Sequence, residues 1–94
     1  MRYGADTRLT VREAMQRAIG YFGPEGRCGL EITEQGPFRV VCAGGGGYVV
    51  VTAQRAPSGS HVELEVWEFD TEARDFLATL PGPSGWLRRA LGRK

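Results

Sequence analysis

The sequence predicts an α+β fold. The expected form is a two-layer sandwich in the order helix, four-stranded antiparallel meander, helix, followed by a short C-terminal amphipathic helix. Three observations carry this reading. Apolar residues recur at helical spacing over residues 11–22 and again over 73–80. Between these segments they alternate with polar residues at the period of two that marks strands. Glycine- and proline-rich stretches separate the periodic segments, as turns separate neighbouring elements. The chain of 94 residues is long enough for one domain, which spans residues 1–83, with 84–94 as a basic tail.

The first helix begins at a capping box. Thr10 is placed to accept a hydrogen bond from the first turn and Glu13 to reach back, with Leu9 and Ala14 at the staple positions. Val11, Ala14, Met15, Ala18, Ile19 and Phe22 form one apolar stripe. Gly23-Pro24 ends the helix, glycine because it suits the terminus and proline because it cannot continue the ladder.

The segment CGLEITEQGPFRVVCA predicts two strands around a three-residue loop, Glu34-Gln35-Gly36. That loop would pair Thr33 with Pro37, Ile32 with Phe38, Leu30 with Val40, and Cys28 with Cys42. The two cysteines would then be neighbours on the covered face, as free thiols in a reducing compartment.

Gly44 to Gly47 precede YVVVTA. A dinucleotide fingerprint needs G-x-G-x-x-G opening a helix, but Val49 occupies the last glycine position and a run of valines favours a strand. No GK[ST] is present for a P-loop. The glycines are therefore a hairpin turn, with more glycine than a turn needs, marking a place where a ligand or another backbone comes close. Pairing Ala43 with Tyr48, and Ala53 with Val62, keeps one apolar face continuous through the fourth strand, HVELEVWEF. That face carries Leu30, Ile32, Val40, Val49, Val51, Leu64 and Val66. Asp70 or Thr71 would cap the second helix, Ala73, Phe76, Leu77 and Leu80 form its stripe, and Pro81 ends it.

The opposite face would carry the cross-strand rows Glu31, Arg39, Thr52, Glu63; then Val41, Val50, Glu65; then Ala43, Tyr48, Trp67, with Phe69 beyond. Open antiparallel faces are usually polar, so the apolar and aromatic half of this one is the informative feature. Val41, Ala43, Tyr48, Val50, Glu65 and Trp67 are the candidate contact face. Trp86, Leu87, Arg88 and Arg89 in the tail helix are a second candidate contact.

Charge excludes some classes. Net charge is +1, but Arg88, Arg89, Arg93 and Lys94 all lie in the tail, leaving 8 basic against 11 acidic residues before it. An acidic body is a poor match for a phosphate backbone. Tyr48 and Trp67 would suit base stacking, but their surroundings, Glu31, Glu63, Glu65 and Glu68, lack the basic ring that nucleic acid requires. Eleven arginines beside one lysine and no asparagine read as the coding bias of a GC-rich, bacterial genome. No run approaches the length of a membrane span, and the N-terminus lacks a secretory pattern, so a cytoplasmic location is expected.

Candidates for chemistry are few. His61 is the single histidine and reads as a surface residue beside Gln54 and Glu63. Cys28 and Cys42 with one histidine make too few ligands for the usual structural zinc sites. Glu63 and Glu65 stand on one side of a strand at a separation paired carboxylates could use, yet alternating glutamates on an edge strand ordinarily guard it against aggregation. The sequence names no catalytic residue, metal ligand or cofactor. It reads as a non-catalytic binding domain whose partner is another protein or a second copy, with no nucleic acid and no integral membrane association. The alternative is a small-molecule carrier or sensor with its ligand between helices and sheet, and an enzyme comes third.

Overall fold

In the computed structural model, which describes residues 1–82, the protein is an α+β sandwich. Its elements are β1 (Arg2–Thr7), α1 (Val11–Phe22), β2 (Glu31–Gln35), β3 (Arg39–Gly44), β4 (Gly47–Ala56), β5 (Gly59–Trp67) and α2 (Asp70–Thr79). The antiparallel strands order β1-β5-β4-β3-β2. The expected tail helix, with Trp86, Leu87, Arg88 and Arg89, lies outside the described residues.

The pairings expected for the central strands are present. Ala43 faces Tyr48 and Val41 faces Val50 between β3 and β4. Ala53 faces Val62 and Tyr48 faces Trp67 between β4 and β5. Alternate residues of these strands point into the core, where Val40, Cys42, Val49, Val51, Val62 and Leu64 are fully buried. Each such aliphatic side chain contributes about 1.5–3 kcal/mol relative to exposure. Helix α1 lies over β3, β4 and β5, and α2 over β5 and β1. The two helices join through an aromatic cluster. Phe22 stands 5.2 Å from Phe76 between ring centroids, and Tyr21 packs on both. The capping box at Thr10 and Glu13 forms as expected.

The sheet has five strands where the sequence predicts four. Strand β1 pairs with β5, Tyr3 opposite Leu64 and Ala5 opposite Val62. Its inward residues are Tyr3, Ala5 and Thr7, a weakly apolar set that leaves little periodic signal. Hydrogen bonds hold it in place at both ends. The Met1 carbonyl accepts from Val66 at 2.9 Å, and the Pro81 carbonyl accepts from Thr7 Oγ1 at 2.5 Å and Arg8 N at 3.2 Å. Strand β5 is therefore interior, and Glu63 and Glu65 do not guard a sheet edge.

The β2–β3 register also differs from expectation. Ile32 faces Cys42 and Gln35 faces Val40, with an irregularity between Ile32 and Glu34. The turn sits at Pro37-Phe38, closed by Gly36 N donating to Arg39 O at 2.8 Å. Proline's preset φ suits the first corner of a tight turn, and this outcompetes glycine in the loop. Three expectations fail together. Phe38 is not on the covered face but 57% exposed, Glu31 faces Ala43 and leaves the Arg39 row, and Cys28 is not a strand partner of Cys42. Two smaller corrections concern α2. Its N-cap is Phe69, with no side-chain capping bond, and Phe69 packs against the core instead of extending the open face.

The four glycines divide into separate tasks. Gly45 and Gly46 have φ of 61° and 85°, the positive pair that a type I′ hairpin turn requires. A Cβ on Gly47 would stand 2.3 Å from the Trp67 carbonyl oxygen and 2.8 Å from Phe69 Cε2. The surplus glycine thus admits the protein's own β5–α2 junction. Replacing Gly45 by Asn, which tolerates positive φ, should cost under about 1 kcal/mol, while Gly47→Ala should cost about 2 kcal/mol or more through that backbone collision. Urea unfolding of the two variants checks the contrast.

Candidate functional site

Two surface regions present groups that packing alone does not explain. The first is the open sheet face. The alternation that buries Val49, Val51, Leu64 and Val66 sends Tyr48, Val50, Thr52, Glu63, Glu65 and Trp67 to the other side, which neither α1 nor α2 covers. Tyr48 and Trp67 are direct cross-strand partners. Trp67 is 58% and Tyr48 36% exposed. Ala43 completes their row from β3, and Val41 and Val50 form the next, which ends at Glu65. The structure thus brings Val41, Ala43, Tyr48, Val50, Glu65 and Trp67 onto one surface. Glu65 is tied to Arg2 across β1 at 3.7 Å.

The far half of this face is polar and internally paired. Arg39 forms an ion pair with Glu34 at 2.5 Å. His61 Nδ1 lies 2.6 Å from Asp6 Oδ1, and Nε2 lies 3.4 Å from Glu63 Oε2. The hydrogen bond with Asp6 raises the His61 pKa above its ordinary value, the Glu63 carboxylate adds to this, and partial burial opposes it. Asp6 belongs to β1, so this partner was invisible without the fifth strand. The arrangement holds both ring nitrogens against carboxylates and leaves neither facing a nucleophile. Among the described residues no group of three or more His, Cys, Asp or Glu side chains is placed to hold a metal ion.

Cys28 and Cys42 are both free. Burial raises the Cys42 thiol, and the neighbouring Cys28 adds to the shift. Burial likewise raises Cys28, helped by Glu72 and opposed by Arg27. Thiols held protonated in this way are poor nucleophiles.

The second region escaped the sequence reading. An open cleft of about 670 Å³ runs between α1 and the β2–β3 turn, reaching the end of β4. Val11, Met15, Ile19, Pro37, Phe38 and Ala56 supply its apolar walls, and Arg12 and Arg55 also line it. The signal that could have located it was Phe38, an aromatic residue beside a turn-forming proline.

No protein-family model, curated protein or solved structure matches this chain. Among the described residues no helix is long and apolar enough to cross a membrane. The two regions therefore stand on their own geometry.

The His61 cluster generates a pH dependence. A pKa raised on folding means that the protonated, paired form is favoured in the native state. Its stabilisation is fully present below the unfolded value of about 6.5 and is lost as pH rises through the higher folded value. Because the pairs are solvent-accessible, the effect should stay below about 1 kcal/mol. In urea unfolding, His61→Gln should destabilise the protein near pH 6, and the gap from wild type should narrow as pH rises through the raised folded value.

Proposed function

We propose that this protein is a non-catalytic binding domain that associates through its open sheet face, most simply with a second copy of itself. One observation carries the reading: Trp67 and Tyr48 stand side by side on a face that neither α1 nor α2 covers, continuous with Ala43, Val41 and Val50. Tryptophan and tyrosine are the residue types that anchor interfaces most often. Monomers rarely leave contiguous apolar patches larger than a few hundred Å² in water. A two-fold axis through the patch would stack like rows on like, with Arg39, Glu63 and the shifted Glu31 around it as a polar rim. A cytoplasmic setting fits the two free cysteines, since reducing compartments keep thiols unpaired.

The carrier reading finds its own support in the cleft beside α1, whose volume falls within the range of small-molecule sites.

Sedimentation velocity on the full chain tests the association. Wild type should sediment as a dimer at micromolar concentration, and Trp67→Ala should shift it to monomer while circular dichroism and cooperative unfolding persist. A wild-type monomer at high micromolar concentration would sink self-association through this face.

A further inference from the structure

The cleft beside α1 is independent of the open sheet face, and its chemistry is specific enough to name a ligand class. We infer that it binds an anionic amphiphile with a single aliphatic chain, a fatty carboxylate being the simplest form, with the chain against Met15, Ile19 and Phe38 and the headgroup between Arg12 and Arg55.

Three features converge. The volume of about 670 Å³ lies inside the roughly 300–1,000 Å³ typical of small-ligand sites. The side chains that form the walls are mostly apolar. Among the described residues, the charged ones lining the cleft are Arg12 and Arg55, no carboxylate lines it, and neither arginine takes part in an ion pair. This contrasts with Arg2 and Arg39 on the other face, both of which are paired. Arginine's forked donors also match a carboxylate in two-point contact.

An acidic helix of a partner protein would lay only one face in this open cleft, so it is the competing occupant that the experiment below separates. A single alkyl chain fits with its length along the groove and its carboxylate at the rim.

The probe is dodecanoate, held below its micellar concentration and titrated into the full chain by calorimetry. The expected result is one molecule bound per chain, with dodecyltrimethylammonium, the same chain under opposite charge, binding at least about ten-fold more weakly. Arg12→Gln combined with Arg55→Gln should weaken dodecanoate by a similar factor, as should Phe38→Asp. All three positions are exposed, so folding should survive, and circular dichroism verifies it. Trp67→Ala should leave dodecanoate binding unchanged, which separates this site from the association face. Amide NMR shifts of the wild-type protein give a reading that needs no variant. Shifts over Val11–Ile19 and Gly36–Phe38 support the cleft, and shifts confined to Tyr48 and Trp67 overturn it. The inference also fails if dodecanoate does not bind, if the cationic chain binds equally well, or if an acidic amphipathic peptide binds where dodecanoate does not.

Discussion

The pairing of β4 with β5 is the constraint on which the rest of the molecule depends. It runs without interruption from Tyr48 opposite Trp67 to Ala56 opposite Gly59. Because side chains alternate with a period of two, this one register settles both surfaces at once. It aligns Val49, Val51 and Ala53 with Val66, Leu64 and Val62 beneath the helices. It also sets Tyr48, Thr52 and Gln54 against Trp67, Glu63 and His61 on the other side. A slip of one residue would exchange the two sets, exposing a valine sheet and burying glutamates. Everything else docks onto this hairpin: β3 and β1 extend it on either side, and the helices cover the face it makes apolar.

Both ends of the hairpin are shaped by close backbone approach. At the β4–β5 turn, a Cβ on Gly59 would stand 2.3 Å from the Thr7 carbonyl oxygen, so the departing end of β1 lies directly against it. Thr7 and Arg8 in turn bond to Pro81, and Ser60 Oγ donates to the Leu9 carbonyl. Segments from the two ends of the described chain thus meet at one end of the central ladder. At the other end Gly47 receives the junction after Trp67, where Glu68 adopts φ of 75°, a conformation that costs a non-glycine residue of order 1 kcal/mol. The chain must turn sharply there to lay α2 back over β5, and that turn leaves Trp67 facing solvent.

What the sequence made legible follows from signal strength. Helices α1 and α2 and strands β3, β4 and β5 carry dense apolar periodicity, and their inner face and the β3–β4 and β4–β5 registers can be derived from it, although residues 55–60 read as a loop by composition while the ladder runs on to Ala56 opposite Gly59. The rows through Tyr48, Trp67, Val41 and Val50 were accessible for the same reason. Strand β1 was not, because Tyr3, Ala5 and Thr7 alternate with Arg2, Gly4 and Asp6 at low hydrophobic contrast, and its place is set by hydrogen bonds to distant residues. The His61–Asp6 pair and the interior position of Glu63 were lost with it. In β2 and β3 two turn signals compete within a few residues, Glu34-Gln35-Gly36 and Gly36-Pro37-Phe38. Apolar alternation favours the first, which sets Ile32 opposite Phe38 and Leu30 opposite Val40, whereas the observed register sets Gln35 opposite Val40 and leaves Phe38 exposed, so pattern alone points to the wrong turn.

That choice also decides whether the cleft exists. Had the loop closed at Glu34-Gln35-Gly36, Phe38 would have faced Ile32 within the covered layer, and the edge of the sheet would have closed down on α1. With the turn at Pro37-Phe38, Gln35 lies opposite Val40, and Pro37 and Phe38 line the cleft beside α1. The irregularity between Ile32 and Glu34 allows both outcomes on one strand. Ile32 still packs against the core, while Glu34 turns to the open face and pairs with Arg39. An apolar wall is thereby built beyond the edge of the filled core, opposite Met15 and Ile19, with Arg55 at the end of β4 and Arg12 at the start of α1. An exposed phenylalanine on a tight turn contributes little to folding. Phe38, Arg12 and Arg55 line the same cleft, so the anionic amphiphile proposed for it would meet the ring and both guanidinium groups together.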